Sequence, residues 1–215
     1  MRHDLPSRRI VALAAAALLS ANLALPSIAR EGLQIGQPAP DFTARDSGGR
    51  EVALSSFKGK AVVLEWTNHD CPYVRKHYGT GNMQALQKEA TGQGVVWLTI
   101  ASSPPGTQGH VNGLEAEKLT ADRNAAPTAV LLDPEGRVGR MFGATATPHM
   151  YVIDKAGALA YMGAIDDKPT TNRDDVPAAR NYVREALQQI AAGQPVKTTS
   201  TRAYGCSIKY QEPRS

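Results

Sequence analysis

The chain has 215 residues, of which 42% are apolar and 20% are charged. That length suits one globular domain or two small ones, and the composition excludes a disordered chain, a collagen and a disulfide-dense miniprotein. The formal net charge is +4. Residues 1–29 carry three arginines against one aspartate, a net +2 that leaves only +2 for the remainder. We therefore expect no nucleic-acid partner.

Residues 1–29 have the pattern of an export signal. Arg8 and Arg9 precede a short apolar run over 10–25, and Ser27 and Ala29 supply the small residues of a cleavage site. We predict a secretory signal peptide over 1–29 and a periplasmic or secreted protein with no stable membrane span after cleavage. A retained N-terminal anchor helix is the alternative, and the arginine pair leaves both general secretion and twin-arginine export open.

From residue 30 to residue 192 the chain alternates strand-like and helix-like segments. Strands are predicted over 51–54, 61–66, 95–101 and 128–133, helices over 72–91, 114–123 and 174–192, and an antiparallel hairpin over 150–154 and 158–163. Gly79 and Gly81 are expected to interrupt the first helix. The pattern predicts one α/β domain over 30–192, a sandwich with a central mixed sheet flanked by helices. Residues 193–215 form a polar tail.

Cys71, one of two cysteines, lies between a predicted buried strand and a predicted helix. Pro72 follows at once, and proline favours the first position of a helix because its missing N–H would be unpaired there. Cys71 is therefore predicted at the helix N-cap, where free backbone N–H groups and the helix dipole stabilise a thiolate. Arg75 and His69 add basic groups nearby. We predict a reactive thiol; the alternative is a buried, inert cysteine.

Segments between residues 35 and 167 together resemble the redoxin branch of the thioredoxin superfamily, the peroxiredoxin-like type that includes alkyl hydroperoxide reductase and thiol-specific antioxidant proteins. The segments that carry the resemblance are Gly36–Phe42, Leu54–Lys60, Cys71-Pro72, and Thr147-Pro148 with Met150–Asp154. The resemblance implies a thioredoxin-like fold and a nucleophilic Cys71. It also implies a cis peptide between Thr147 and Pro148, placed against that cysteine.

The same region departs from two branches of that superfamily. Thioredoxins carry a second cysteine three residues after the first, where this chain has Val74. Peroxiredoxins resemble one another in a proline and a threonine before the cysteine, and Leu64 and Asn68 hold those positions here. The position of a peroxiredoxin arginine falls on Pro148. The missing threonine and arginine favour general disulfide exchange and leave peroxide reduction open.

Cys206, in the tail, is the candidate partner of Cys71, and three interpretations stay open. It resolves an oxidised Cys71 by closing a disulfide across 135 residues (206 minus 71), it forms a permanent structural disulfide, or it pairs between chains. A resolving disulfide needs an external thiol reductant to reopen it. The expected partners are therefore that reductant and a substrate, which is a protein or small-molecule disulfide or a hydroperoxide. No cofactor and no resident metal are expected.

His149 directly follows Pro148 and is expected to lie near Cys71. Because thiolate and imidazole together suit copper or zinc, a copper-binding or copper-delivery module of the same fold is one alternative function. A thioredoxin-like binding domain without catalysis is another. The preferred prediction is a thiol-based oxidoreductase with Cys71 as nucleophile and Cys206 as resolving cysteine. The supporting residues in that prediction are Pro72, Arg75, His69, Thr147, Pro148 and His149.

Overall fold

The computed structural model describes Met1 and residues 32–211, so the predicted signal peptide lies, apart from Met1, outside the described residues. The strands are β1 (Thr43–Asp46), β2 (Glu51–Ala53), β3 (Val62–Trp66), β4 (Val96–Ala101), β5 (Ala129–Leu132), β6 (Ala146–Thr147), β7 (His149–Ile153), β8 (Leu159–Gly163) and β9 (Cys206–Ser207). The α-helices are α1 (Pro72–Gly79), α2 (Asn82–Gly92), α3 (Gly113–Asp122), α4 (Arg137–Phe142) and α5 (Tyr182–Ala191), and 3-10 helices cover Leu54–Phe57 and Arg173–Ala178. None of the helices in this described part is long and apolar enough to cross a membrane.

Seven strands form one sheet in the order β2-β1-β5-β4-β3-β7-β8. Its centre is the parallel pair β3 and β4, both buried along their whole length. β5 extends the sheet in parallel on one side, whereas β7 runs antiparallel to β3 on the other and forms a hairpin with β8. Both the mixed sheet and the hairpin confirm the sequence prediction.

Two apolar clusters cover the two faces of this sheet, because successive side chains of a strand point to opposite faces. On one face, Leu64 and Trp66 of β3 pack with Phe142 of α4. On the other face, Val63 packs with residues of α1, α2 and α5. Cys71 belongs to this second cluster. The fold therefore places the cysteine where the central strand ends and the first helix begins.

Two of the predicted helices differ from the structure. The segment 72–91 is divided into α1 and α2, as the glycines suggested, and Gly81 at the start of α2 has a left-handed φ of 76°. The helix predicted over 174–192 begins only at Tyr182, so its predicted start was wrong. Pro177 lies in the preceding 3-10 helix, and the Asn181 side chain caps α5 by accepting a hydrogen bond from the Arg184 N–H.

The polar tail lies along the domain. The N–H of Met162 in β8 donates to the Thr199 carbonyl, and the Thr201 N–H donates to the Met162 carbonyl, both at 3.1 Å. Further on, β9 pairs antiparallel with β6 and sets Cys206 opposite Thr147. The tail thus brings its cysteine to the turn between β6 and β7.

Candidate active site

Cys71 is the N-cap residue of α1, as the sequence predicts. Its backbone is extended (φ −67°, ψ 125°), and Pro72 occupies the first turn of the helix. The Cys71 N–H donates to the Asn68 carbonyl at 3.1 Å, and the Cys71 carbonyl accepts the first helical hydrogen bond from Arg75 at 2.9 Å. The residue is 0% exposed. Its sulfur therefore lies at the positive end of the helix but is covered by protein.

The turn between β6 and β7 covers Cys71 from one side. Its Thr147-Pro148 peptide bond is cis, which confirms the expectation from the family resemblance. The Thr147 carbonyl accepts a hydrogen bond from the Cys71 thiol at 3.0 Å. The proline turn and the helix N-terminus thus meet at one sulfur atom.

Cys206 completes the enclosure of that sulfur. Cys206 packs against the apolar cluster that contains Cys71, and it pairs with Thr147, the residue whose carbonyl binds the Cys71 thiol; both cysteines are free rather than bridged. Gly205 allows this approach, because a Cβ atom there would lie 1.9 Å from the Thr147 carbonyl oxygen, and its φ is 130°. Cys206 itself is only half-buried. The structure therefore brings together the two thiols that lie 135 positions apart in sequence (206 minus 71).

The two thiols have opposite pKa shifts. Burial raises the pKa of Cys71, but the side chains of Cys206 and Thr147 and the backbone of Val74 and Cys206 favour the thiolate more strongly, so the pKa is lowered. Burial and the hydrogen bond to Cys71 raise the pKa of Cys206 to about 11. Cys71 is therefore the sulfur that ionises first, and Cys206 holds its proton.

The basic side chains predicted around Cys71 have other partners. The Arg75 guanidinium, 58% exposed, binds Asp70 at 2.8 Å and the His69 carbonyl at 3.1 Å. The His69 ring lies 3.4 Å from Asp70. Arg75 of α1 and the loop residues His69 and Asp70 thus form a polar rim around the start of the helix.

His149 follows the proline turn and packs on Tyr151, which belongs to the apolar cluster on the face of the sheet opposite Cys71. Its Nδ1 accepts a hydrogen bond from the Thr145 N–H at 3.3 Å, and its ring lies 4.6 Å from the Tyr151 ring. Burial lowers the pKa of His149 to about 4, so the ring is neutral at pH 7. Within residues 32–211, no group of three or more His, Cys, Asp or Glu side chains is arranged to hold a metal ion.

Two buried carboxyl groups near the site were missed by the sequence reasoning. Glu65, in β3, accepts hydrogen bonds from four side chains: Trp97 (2.8 Å), Tyr78 (2.9 Å), Gln87 (3.1 Å) and Thr99 (3.1 Å). Asp166, after β8, accepts a hydrogen bond from the hydroxyl of Tyr204 in the tail. A charged residue inside the apolar run 61–66 was a usable signal for Glu65. Nothing local in the sequence joins Asp166 to Tyr204, which lies 38 positions later.

The fold is that of a thioredoxin-like protein, with a mixed sheet between helical layers and a cis-proline turn against an N-cap cysteine. The crystal structure of a hypothetical protein, SMc02350 from Sinorhizobium meliloti 1021, has the same fold, with a TM-score of 0.73 at 24% identity over 85% of this chain and 98% of that one. Residues 35–162 match the AhpC/TSA family, and the chain belongs to this family. The redoxin assignment from sequence is thereby confirmed.

Two relatives of this chain have names that state different activities. Peroxiredoxin tpx1 of Schizosaccharomyces pombe is 31% identical over 173 residues, which cover 77% of this chain and 84% of that protein. Thiol-disulfide oxidoreductase ResA of Bacillus subtilis is 24% identical over 132 residues, which cover 56% of this chain and 74% of that protein. The chain is thus similar both to a peroxiredoxin and to a thiol-disulfide oxidoreductase.

Proposed function

We propose that the protein is a thiol-disulfide oxidoreductase in which Cys71 is the nucleophile and Cys206 the resolving cysteine. The observation that carries the proposal is the pairing of β9 with β6, which sets the free Cys206 opposite Thr147, whose carbonyl binds the free Cys71 thiol. A thiolate is the attacking form of cysteine, and the lowered pKa of Cys71 supplies it. Family membership and the relative named thiol-disulfide oxidoreductase support the same reaction class.

The reaction has two exchange steps. The Cys71 thiolate attacks one sulfur of a substrate disulfide, forms a mixed disulfide, and releases the other substrate sulfur as a thiolate. Cys206 then loses its proton to solvent and attacks the Cys71 sulfur. This second attack closes the Cys71–Cys206 disulfide and releases the remaining substrate sulfur. Two electrons have passed to the substrate, and an external thiol reductant returns them to the protein.

Access to Cys71 requires movement of the tail. Cys71 is fully buried, and Cys206 packs against the apolar cluster that contains it. The covering strand β9 has only two residues, so few backbone hydrogen bonds hold it. Substrate therefore reaches Cys71 when this short strand separates from β6, and Cys206 returns for the second step.

Peroxide reduction is the second candidate function, because the relative named peroxiredoxin aligns over 77% of this chain. In that reaction the Cys71 thiolate attacks a peroxide oxygen and becomes a sulfenic acid, and an alcohol or water leaves. Cys206 then displaces water from the sulfenic sulfur and forms the same disulfide. Asn68 and Pro148 stand where peroxiredoxins resemble one another in a threonine and an arginine, so we expect this reaction to be the slower one.

Stopped-flow measurements on the reduced protein test both reactions. We expect rapid reduction of a peptide disulfide, slower consumption of hydrogen peroxide, and complete loss of both in Cys71→Ser. Cys206→Ser should retain the first step and accumulate a mixed disulfide or sulfenic acid, detectable by mass spectrometry. Full turnover in Cys71→Ser would overturn the proposal.

The two other functions predicted from sequence have their own tests. A copper-delivery module would bind copper(I) through Cys71 and His149, so titration of wild-type protein and of His149→Ala addresses it. A binding domain without catalysis would show an unshifted or raised Cys71 pKa in alkylation rates measured against pH. We expect neither result.

Export is proposed from the sequence of residues 1–29. The apolar run after Arg8 and Arg9 and the small residues at 27 and 29 support cleavage before Arg30. Expression of the full chain in a Gram-negative host should yield a periplasmic product whose mass corresponds to a start at Arg30. A full-length product that sediments with membranes would support the retained anchor instead.

A further inference from the structure

A cluster of buried polar side chains lies beside the two cysteines. Lys76 and His77 of α1 and Asp166 after β8 are each at most 2% exposed. The Asp166 Oδ2 atom lies 3.9 Å from both the Lys76 Nζ and the His77 Nε2. Among the described residues this oxygen has no hydrogen-bond partner. Asp166 is therefore paired with the charge of Lys76, but its Oδ2 atom is not hydrogen-bonded.

Tyr204 of the tail is the residue that closes this cluster. Its hydroxyl donates to the Asp166 Oδ1 and lies 3.2 Å from the His77 Nε2. Its ring packs against Tyr73, with centroids 5.7 Å apart, and faces the Lys76 Nζ at 5.8 Å. Three residues of α1 thus contact the Tyr204 side chain.

Tyr204 is joined to Cys206 by a short and tightly packed connection. Only Gly205 separates them, and the Gly205 backbone is packed against the Thr147 carbonyl. α1 begins directly after Cys71 and also carries the contacts to Tyr204. The same helix therefore begins at the nucleophile and carries the contacts to Tyr204, which lies two residues before Cys206.

We propose that Tyr204 is a positioning residue for the second exchange step, acting through its hydrogen bond to Asp166. This inference rests on the proposed roles of Cys71 and Cys206. During the first step the tail has moved away to admit substrate. When the Tyr204 hydroxyl binds Asp166 again, Cys206 returns to the Cys71 sulfur and attacks the mixed disulfide.

The test uses an aromatic nitrobenzoate disulfide whose released thiolate absorbs visible light. Reduced protein releases one thiolate when Cys71 attacks and a second when Cys206 attacks the mixed disulfide. For Tyr204→Phe we expect the second release to be about tenfold slower, because a hydrogen bond to a charged group is lost. The pKa of Cys71, obtained from alkylation rates against pH, should rise, since groups of Cys206 lower it in the closed arrangement.

Tyr182→Phe is the matched control. Tyr182 lines the same cavity of about 550 Å³ as Tyr204 and stacks on Tyr161. The control should close its disulfide at the wild-type rate. If Tyr204→Phe does not fold, Asp166→Asn removes the charged acceptor instead and should slow closure in the same direction.

The outcomes separate the two proposals. If wild-type protein releases only one thiolate and forms no Cys71–Cys206 disulfide, the proposed function fails. If wild-type protein closes but Tyr204→Phe closes within twofold of it with an unchanged Cys71 pKa, the positioning role alone is overturned. An equal slowing in Tyr182→Phe would also overturn it.

Discussion

The two buried carboxyl groups of this protein, Glu65 and Asp166, differ in how completely they are satisfied. Glu65 accepts hydrogen bonds from four side chains that belong to β4, α1 and α2. Asp166 has one oxygen bonded to Tyr204 of the tail and to the Lys168 N–H, whereas its other oxygen has no hydrogen-bond partner within residues 32–211. One network is complete within the sheet and its helices, and the other depends on the tail.

This difference indicates a permanent structural role for the Glu65 network and a reversible role for the contact between Asp166 and the tail. A buried polar network with every member bonded is rigid, and its loss costs several kcal/mol because each donor is left unpaired. The Asp166 network loses only the tail contact when Tyr204 leaves. The first network therefore stabilises the domain in every state of the tail, while the second stabilises the closed state alone.

The largest effect is expected when the complete network is broken. Glu65→Ala leaves the Trp97, Tyr78, Gln87 and Thr99 donors without their acceptor and should lower the free energy of unfolding by about 3–5 kcal/mol. Denaturant titration measures this loss. Glu117→Ala, at an exposed position of α3, is the control and should change stability by less than about 0.5 kcal/mol. A loss of stability below about 1 kcal/mol in Glu65→Ala would contradict the role of the Glu65 network in stabilising the domain.

Acid pH should affect the two networks in opposite directions. Burial lowers the pKa of His77 to about 4, against the raising effect of Asp166, so between about pH 6.5 and pH 4 the unfolded chain binds a proton that the folded chain does not. Stability from His77 is full above pH 6.5 and is lost as the pH falls to 4, by about 3 kcal/mol. Burial raises the pKa of Glu65 in the folded protein above its value in the unfolded chain. The contribution of Glu65 to the free energy of unfolding is therefore present at low pH and is lost as the pH rises through the folded-state pKa.

Unfolding free energies measured from pH 7 to pH 4 check these signs. His77→Gln should reduce the acid-dependent loss, although part remains because burial also lowers the pKa of His149 to about 4. Glu65→Gln should make the loss steeper. An acid dependence unchanged in His77→Gln would refute the assignment.

The smallest effect on stability, but a clear effect on chemistry, is expected at Gly205. Gly205→Ala places a Cβ against the Thr147 carbonyl and should lift the tail from the site, at a cost of about 1 kcal/mol. The pKa of Cys71 should then rise, because the groups of Cys206 that lower it move away from the sulfur. Gly193→Ala is the matched control, since Gly193 also has a positive φ of 66° but nothing lies within 4 Å of the position that its Cβ would take. Alkylation rates against pH distinguish them, and an equal Cys71 pKa in both variants would rule out the collision.

The parts of the site that are local in sequence were predictable. The run 61–66, Cys71 and Pro72 follow one another, so strand, N-cap and helix could be inferred from neighbouring residues. The start of α5 was wrong because Asp174 and Asp175 are as suitable for a helix N-terminus as Asn181, and only the Pro177 turn decides between them.

The contacts of the tail could not be predicted in the same way. β6 and β9 have two residues each, too few for a strand pattern, and their pairing joins distant positions. The sequence could therefore offer Cys206 as a partner for Cys71 but could not decide among its three interpretations. The anchor of Tyr204 on Asp166 is a tertiary contact without any local pattern.

The antiparallel pairing of β6 and β9 also has a consequence for the newly made chain. Cys206 is synthesised 135 residues after Cys71 (206 minus 71), a delay of about 7 to 27 s at common rates of translation. Until then the helix that begins after Cys71 has neither its cover nor its partner thiol. A nascent chain therefore presents a single uncovered cysteine, and it becomes a dithiol protein only when the segment around Cys206 has folded onto β6.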